Sequence, residues 1–172
     1  MKPVVLTYHN FGEYMAGVGE FESNTYVPKS AIMVYLGGSI SDYAREYIIR
    51  QLKHQWHCVV FLIPETNLVS PSLYHQIKFQ FTILDIYDIC ALWYEGALHH
   101  DGLFQLGYQL CANIEGDVEL PLILGADIDY AAFDYIHELA THNYVKLHTI
   151  LDNFINDLDK EISSLYWREG GE

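Results

Sequence analysis

Positive charge is scarce in this chain: nine Lys and Arg stand against 23 Asp and Glu in 172 residues, a formal net charge of −14. That balance excludes a nucleic-acid polymer as partner, because such binding draws most of its affinity from basic side chains that neutralise phosphates. It does not exclude a single nucleotide, whose phosphate can be held by backbone N–H groups at a helix N-terminus. Cysteine is sparse as well. Cys58, Cys90 and Cys111 are far apart, each in an apolar context and none in a C-x-x-C pair. They predict reduced core thiols in a cytosolic protein rather than a disulfide framework. No apolar run reaches the roughly 18 uncharged residues that a membrane span needs. The N-terminus also lacks a basic stretch followed by an apolar one and a small-residue cleavage site. The expectation is a soluble cytoplasmic protein with no membrane partner. Internal repeats and low-complexity segments are absent too.

Apolar side chains are plentiful, at 51% of the residues, with 14 Tyr among them. A chain of this length and composition suffices for one compact domain with a full core. Residues 31–40 form a short apolar run that stops at paired glycines, as a buried parallel strand does. Ser41 or Asp42 can cap the helix that follows, in which Tyr43, Tyr47, Ile48 and Leu52 recur at helical spacing. A second strand, 58–63, ends at Pro64, which cannot continue a ladder. Residues 71–88 turn helical, with Leu73, Ile77, Phe81 and Leu84 on one face, and a third strand covers 89–94. A helix over 103–112, a fourth strand over 120–124, a helix over 131–140 and an amphipathic helix over 151–165 complete the series. Val4 to Tyr8 can add an edge strand. Alternation of this kind predicts an α/β fold: a mostly parallel sheet of about four to five strands covered on both faces, with ligands beyond the strands' C-terminal ends.

Three segments lie where such strands end. In Tyr35-Leu36-Gly37-Gly38-Ser39-Ile40 the glycines permit close backbone approach, and Ser39 can bond an oxygen of a sugar or phosphate. The second segment runs from Gln76 through Phe79 and Gln80 to Asp88 and the strand bearing Trp93 and Tyr94. The third is Gly102-Leu103-Phe104-Gln105-Leu106-Gly107-Tyr108. Glu95 and Asp101 flank the intervening loop, and Asp101 falls one helical turn before Gln105. Tyr8, Tyr35, Trp93, Tyr94 and Tyr108 are aromatics that can stack on a base. Neither His99-His100 nor the set His137, His142 and His148 has the i, i+3 or i, i+4 spacing that puts two imidazoles on one helical face. No metal site or cofactor is predicted.

In order and spacing the three segments resemble the nucleoside 2-deoxyribosyltransferase-like family, over about residues 31–124. The resemblance implies a flavodoxin-like three-layer sandwich, a nucleoside or nucleotide as ligand, and assembly into a homo-oligomer. It divides the chain into an N-terminal extension (1–30), the family core (31–125) and a C-terminal helical part (126–172), all in one domain. The family transfers 2-deoxyribose between bases or hydrolyses N-glycosidic bonds, using the Glu of a Glu-Leu-Gly segment as nucleophile. Gln105 holds that place here, and Gln80 stands where the family has a second carboxylate. Gln105, by the resemblance, and Asp101 and Glu95, by their places beside the loop, are the candidates for chemistry. Tyr35, Gly37, Gly38, Ser39, Gln80, Asp88, Trp93, Gly102 and Tyr108 are those for ligand binding. A carboxamide is neutral and hardly nucleophilic, whereas retaining transfer needs an anionic oxygen at the anomeric carbon. Two readings follow: a transferase or hydrolase in which Asp101 or Glu95 takes over the acid's work, and a catalytically silent nucleotide-binding protein, acting as a sensor, sequestering protein or regulatory subunit.

Overall fold

The computed structural model describes residues 3–7, 31–64, 82–84, 86–97, 100–115 and 120–168; within the helix at 100–115 the side chains of 100, 101 and 112–115 are outside the description. Among the described residues six strands form one sheet: β1 (Val4–Leu6), β2 (Ile32–Ser39), β3 (Val59–Leu62), β4 (Ile89–Tyr94), β5 (Leu122–Ala126) and β6 (Leu147–His148). Their spatial order is β1-β3-β2-β4-β5-β6, and every neighbouring pair is parallel. The helices are α1 (Asp42–Gln51), a 3-10 turn at Lys53–Gln55, α2 (His100–Glu115), α3 (Phe133–His142) and α4 (Leu151–Arg168). Residues 82–84 are also helical.

Buried parallel strands show both faces to apolar layers, so their side chains sort by parity. Tyr35, Cys90, Leu92 and Tyr94 point to the face covered by α2, α3 and the 82–84 helix, where Leu106, Leu110, Ile136 and Ala140 meet them. Val34, Leu36, Ala91 and Trp93 point to the opposite face, covered by Ile48 of α1 and by Phe154, Ile155, Leu158 and Ile162 of α4. Two helical layers on one parallel sheet make the covered α/β sheet that the alternation predicted, consistent with the flavodoxin-like three-layer sandwich that the resemblance implied. The amphipathic stripe of α4 is core, as its spacing required: Phe154, Leu158 and Ile162 are fully buried.

The departures from expectation have local causes. The sheet has six strands rather than four or five. Val4–Leu6 does form an edge strand, parallel to β3, and β6, only two residues long, is too short to leave a periodic signature. β5 runs through Gly125 to Ala126 instead of stopping at Leu124, because that glycine makes room: the Trp93 ring and Phe154 lie where its Cβ would go. Tyr43, expected on the buried stripe of α1, is exposed, since the buried face is the one carrying Ala44 and Ile48, about 100° around the helix from it. Ser41 is the cap, its Oγ accepting the Ala44 N–H at 3.1 Å. α2 begins at His100, which places Asp101 inside the first turn rather than at a cap. Of the three cysteines, Cys58 and Cys90 are core and their thiols are pushed up by burial, but Cys111 is exposed. Most of the 71–88 helix, including Phe79, Gln80 and Asp85, lies outside the described residues. Among the described residues, no helix is long and apolar enough to cross a membrane.

Candidate functional site

The chain leaves β2 toward β3 on one side and returns past it to β4 on the other. The carboxyl ends of β2 and β4 therefore diverge into a crevice, the place where open α/β sheets bind ligands. A cleft of about 450 Å³ opens there. Ser39, Ile40 and Ser41, between β2 and α1, form one wall; Glu95, Gly96 and Ala97, just past β4, form another; Asp127, just past β5, closes the third side.

Each wall is held by a specific bond. The Ser39 hydroxyl lies 3.0 Å from the Ala97 carbonyl oxygen and 3.3 Å from that of Glu95. The Glu95 N–H donates to the Ser39 carbonyl at 2.9 Å. One proton on Ser39 thus ties the 95–97 turn to β2. The Glu95 carboxylate is fixed at both oxygens: Oε1 accepts the Ser41 N–H at 2.9 Å, and Oε2 the Trp93 indole N–H at 3.2 Å. Trp93 is itself clamped by Phe154, ring to ring at 5.4 Å. On the third side the Asp127 N–H donates to the Tyr94 carbonyl at 2.8 Å. Its Oδ1 accepts the Asp129 N–H at 3.0 Å, an Asx turn that holds the carboxylate beside the cleft.

Behind the cleft, the glycine segment of β2 meets α2. A Cβ on Gly102 would lie 3.0 Å from the Gly38 carbonyl carbon and 3.1 Å from the Ser39 nitrogen, so helix and strand approach closely only because residue 102 is glycine. The Tyr94 hydroxyl donates to the Gly102 carbonyl at 2.6 Å and anchors the same turn; burial pushes that phenol's pKa well up. Gly38 has φ +98°, and a Cβ there would collide with the Trp93 carbonyl oxygen across the ladder. Its N–H is taken by Gln105, whose Oε1 accepts it at 2.8 Å. Helical side chains slant toward the N-terminus, which is how a residue in the second turn of α2 reaches back to the strand end. Gln105 is only 3% exposed. Because the partner is a donor, the oxygen of the amide must face Gly38 and the NH2 group is its other end.

The structure thus brings together Gly37, Gly38, Ser39, Trp93, Glu95, Gly102 and Gln105, from the ends of β2 and β4 and the start of α2. Other candidates lie elsewhere. Tyr35 is fully buried in the core, its ring 6.0 Å from that of Tyr87. Asp88 precedes β4 and accepts the Met33 N–H at 2.7 Å; seven positions of extended chain, about 23 Å, separate it from Glu95. Tyr108 is half-buried about 12 Å along α2 from its start, its ring 6.4 Å from that of exposed Phe104. Asp101 lies in the first turn of α2, its side chain outside the described residues, and Gln80 lies outside them altogether. Sequence reasoning missed Asp127. The signal was present, since Gly125-Ala126-Asp127 puts an acid just past β5, as Glu95 stands just past β4. No family model matches this chain, and no curated protein does.

Proposed function

We propose that the protein binds a nucleoside or nucleotide in the crevice between the ends of β2 and β4, as a nucleoside 2-deoxyribosyltransferase-like protein with an amide in the nucleophile's place. The observation that supports this most is the meeting of the Gly37-Gly38-Ser39 turn with Gly102 and Gln105 at the switch point of the sheet. Two of the three segments that carry the likeness, the glycine turn and the 102–108 helix, meet at the strand ends where open α/β sheets bind ligands. N-glycosidic transfer or hydrolysis is the activity the resemblance implies. Gln105 favours the second reading, a catalytically silent binder that senses or sequesters its ligand or serves as a regulatory subunit. Its amide is neutral, and its oxygen is committed to the Gly38 N–H. Glu95, the alternative acid, has a fixed donor on each oxygen, which suits it to binding more than to abstracting a proton from water. The same reading includes a cytoplasmic homo-oligomer, to be checked by light scattering on the eluted protein.

The test pairs the native protein with Gln105→Glu, both titrated calorimetrically with nucleosides and nucleotides and assayed for base release by chromatography. Binding without release by the native chain, with release gained by the variant, is the expected result. Release by the native chain refutes the silent reading. Absence of binding in both refutes the ligand class.

A further inference from the structure

We propose that Glu95 makes this cleft selective for an uncharged, hydroxyl-bearing ligand and against its phosphorylated form, because its carboxylate already sits where a phosphate would bind. This rests on the nucleoside reading above and decides between the two ligand classes which that reading leaves open. The cap of α1 is the natural anion seat of the cleft: Ser41, the N-cap of a ten-residue helix, lines it, and the positive end of the helix dipole lies there. Two of its donors are taken: the Ser41 N–H goes to Glu95 and the Ala44 N–H to the Ser41 hydroxyl. Asp42 adds another carboxylate to the first turn, and Arg45, the cation beside it, is paired with Asp42 at 2.8 Å.

A side chain that could swing aside would yield to a phosphate. Glu95 is instead pinned at its second oxygen by the Trp93 indole, which is wedged against Phe154. Asp127 presents a second fixed carboxylate from the third wall, and no Lys or Arg is among the described residues lining the cleft. A phosphate entering here meets two anchored negative charges. A sugar hydroxyl meets the reverse, because each carboxylate oxygen keeps a lone pair after accepting one bond and an O–H can donate to it. Rigid acceptors without a cation are the complement of a diol, and a poor host for a dianion.

The experiment is calorimetric titration of the native protein, Glu95→Gln and Asp127→Asn with adenosine, guanosine, cytidine and uridine, with their 5′-monophosphates, and with inorganic phosphate. Glu95→Gln keeps an oxygen for the Ser41 N–H while removing the charge, at the loss of the bond from the Trp93 indole, whose N–H an amide NH2 cannot accept; Asp127→Asn keeps an oxygen for Asp129. The native protein is expected to prefer a nucleoside over its monophosphate by about 100-fold, the order of effect when like charges meet at an interface. Raising the ionic strength should narrow that gap. Glu95→Gln should reduce it to under about 10-fold and admit inorganic phosphate, with Asp127→Asn intermediate. Monophosphates that bind the native protein as tightly as nucleosides overturn the inference while leaving the nucleoside reading intact. So does a preference unchanged in both variants, or one insensitive to salt. If no nucleoside, monophosphate or phosphate binds the native protein, the reading of the site itself fails, and the selectivity with it.

Discussion

The bond from Gly38 to Gln105 allows a prediction that separates hydrogen bonding from packing. Gly38 is held at φ +98° in the middle of the sheet, and its N–H points at the Gln105 side chain, which accepts it at 2.8 Å. Gln105→Leu fills nearly the same buried volume but offers no acceptor. A buried N–H left without a partner costs about 1–3 kcal/mol. Repacking a side chain of similar size adds less than about 1.5 kcal/mol, and the change in helix propensity is negligible by comparison. The expected loss is therefore about 2–3 kcal/mol. Gln105→Glu retains an acceptor, now a charge-assisted one, but pays for burying the charge; at low pH, where the acid is neutral, it should approach the native stability. Urea unfolding followed by tryptophan fluorescence reads these differences as shifts in midpoint at constant slope. The reasoning is refuted if Gln105→Leu lies within 0.5 kcal/mol, on the order of measurement error, of the native chain. In that case the Gly38 N–H would be satisfied by water from the cleft, and the latch between β2 and α2 would be of no energetic importance.

Two further outcomes are expected. Gly38→Ala should lose about 2–5 kcal/mol, combining the cost of a left-handed L-residue with a collision against the Trp93 backbone. Gly96→Ala, at φ +70° with nothing within 4 Å of its would-be Cβ, should lose only the first part, about 1–2 kcal/mol; equal losses by urea titration would discredit the collision. For pH, burial first and then the nearby Lys146 ammonium lower the pKa of His148, which lies 3.2 Å from Asp157. A histidine depressed on folding costs stability once the unfolded chain takes up the proton, so stability should fall as pH drops through about 6.5, the ordinary histidine value. Hydrogen bonds from Lys146 and Lys160 hold Asp157 down to about 2; its contribution is present above the ordinary Asp range and lost only as pH falls from there toward 2. Unfolding midpoints between pH 7.5 and 5 should therefore decline in the native protein and flatten in His148→Gln. An equal decline in the variant would assign the effect to another group.

How much of this was legible depended on whether the signal was local. β4 was readable to the residue, because a fully buried parallel strand is a continuous apolar run bounded by polar residues. The α4 stripe was readable because one side of a helix meets one sheet face over five turns. β6 was not, because two residues have no period. Tyr43 was misassigned to the buried stripe because its spacing fits a helix, while the face that meets the sheet is the neighbouring one through Ala44 and Ile48. At the site, the glycines were legible as places of close approach, but what approaches them was not.

From the sequence alone came the alternation of elements, the parallel sheet buried on both faces, and three segments placed at strand ends; each follows from periodicity, turn chemistry or the limits of glycine and proline. Only the tertiary structure decided which carboxylates share a cleft. Asp127 joins Glu95 because β5 lies beside β4, whereas Asp88, six residues before Tyr94 on the same run of chain, lies at the far edge because a strand is straight. Only the structure, too, gave Gln105 and Glu95 their partners, Gly38 at 67 positions' remove and Ser41 at 54. Hydrogen bonds across such distances depend on how the layers pack, and no local pattern of residues encodes that.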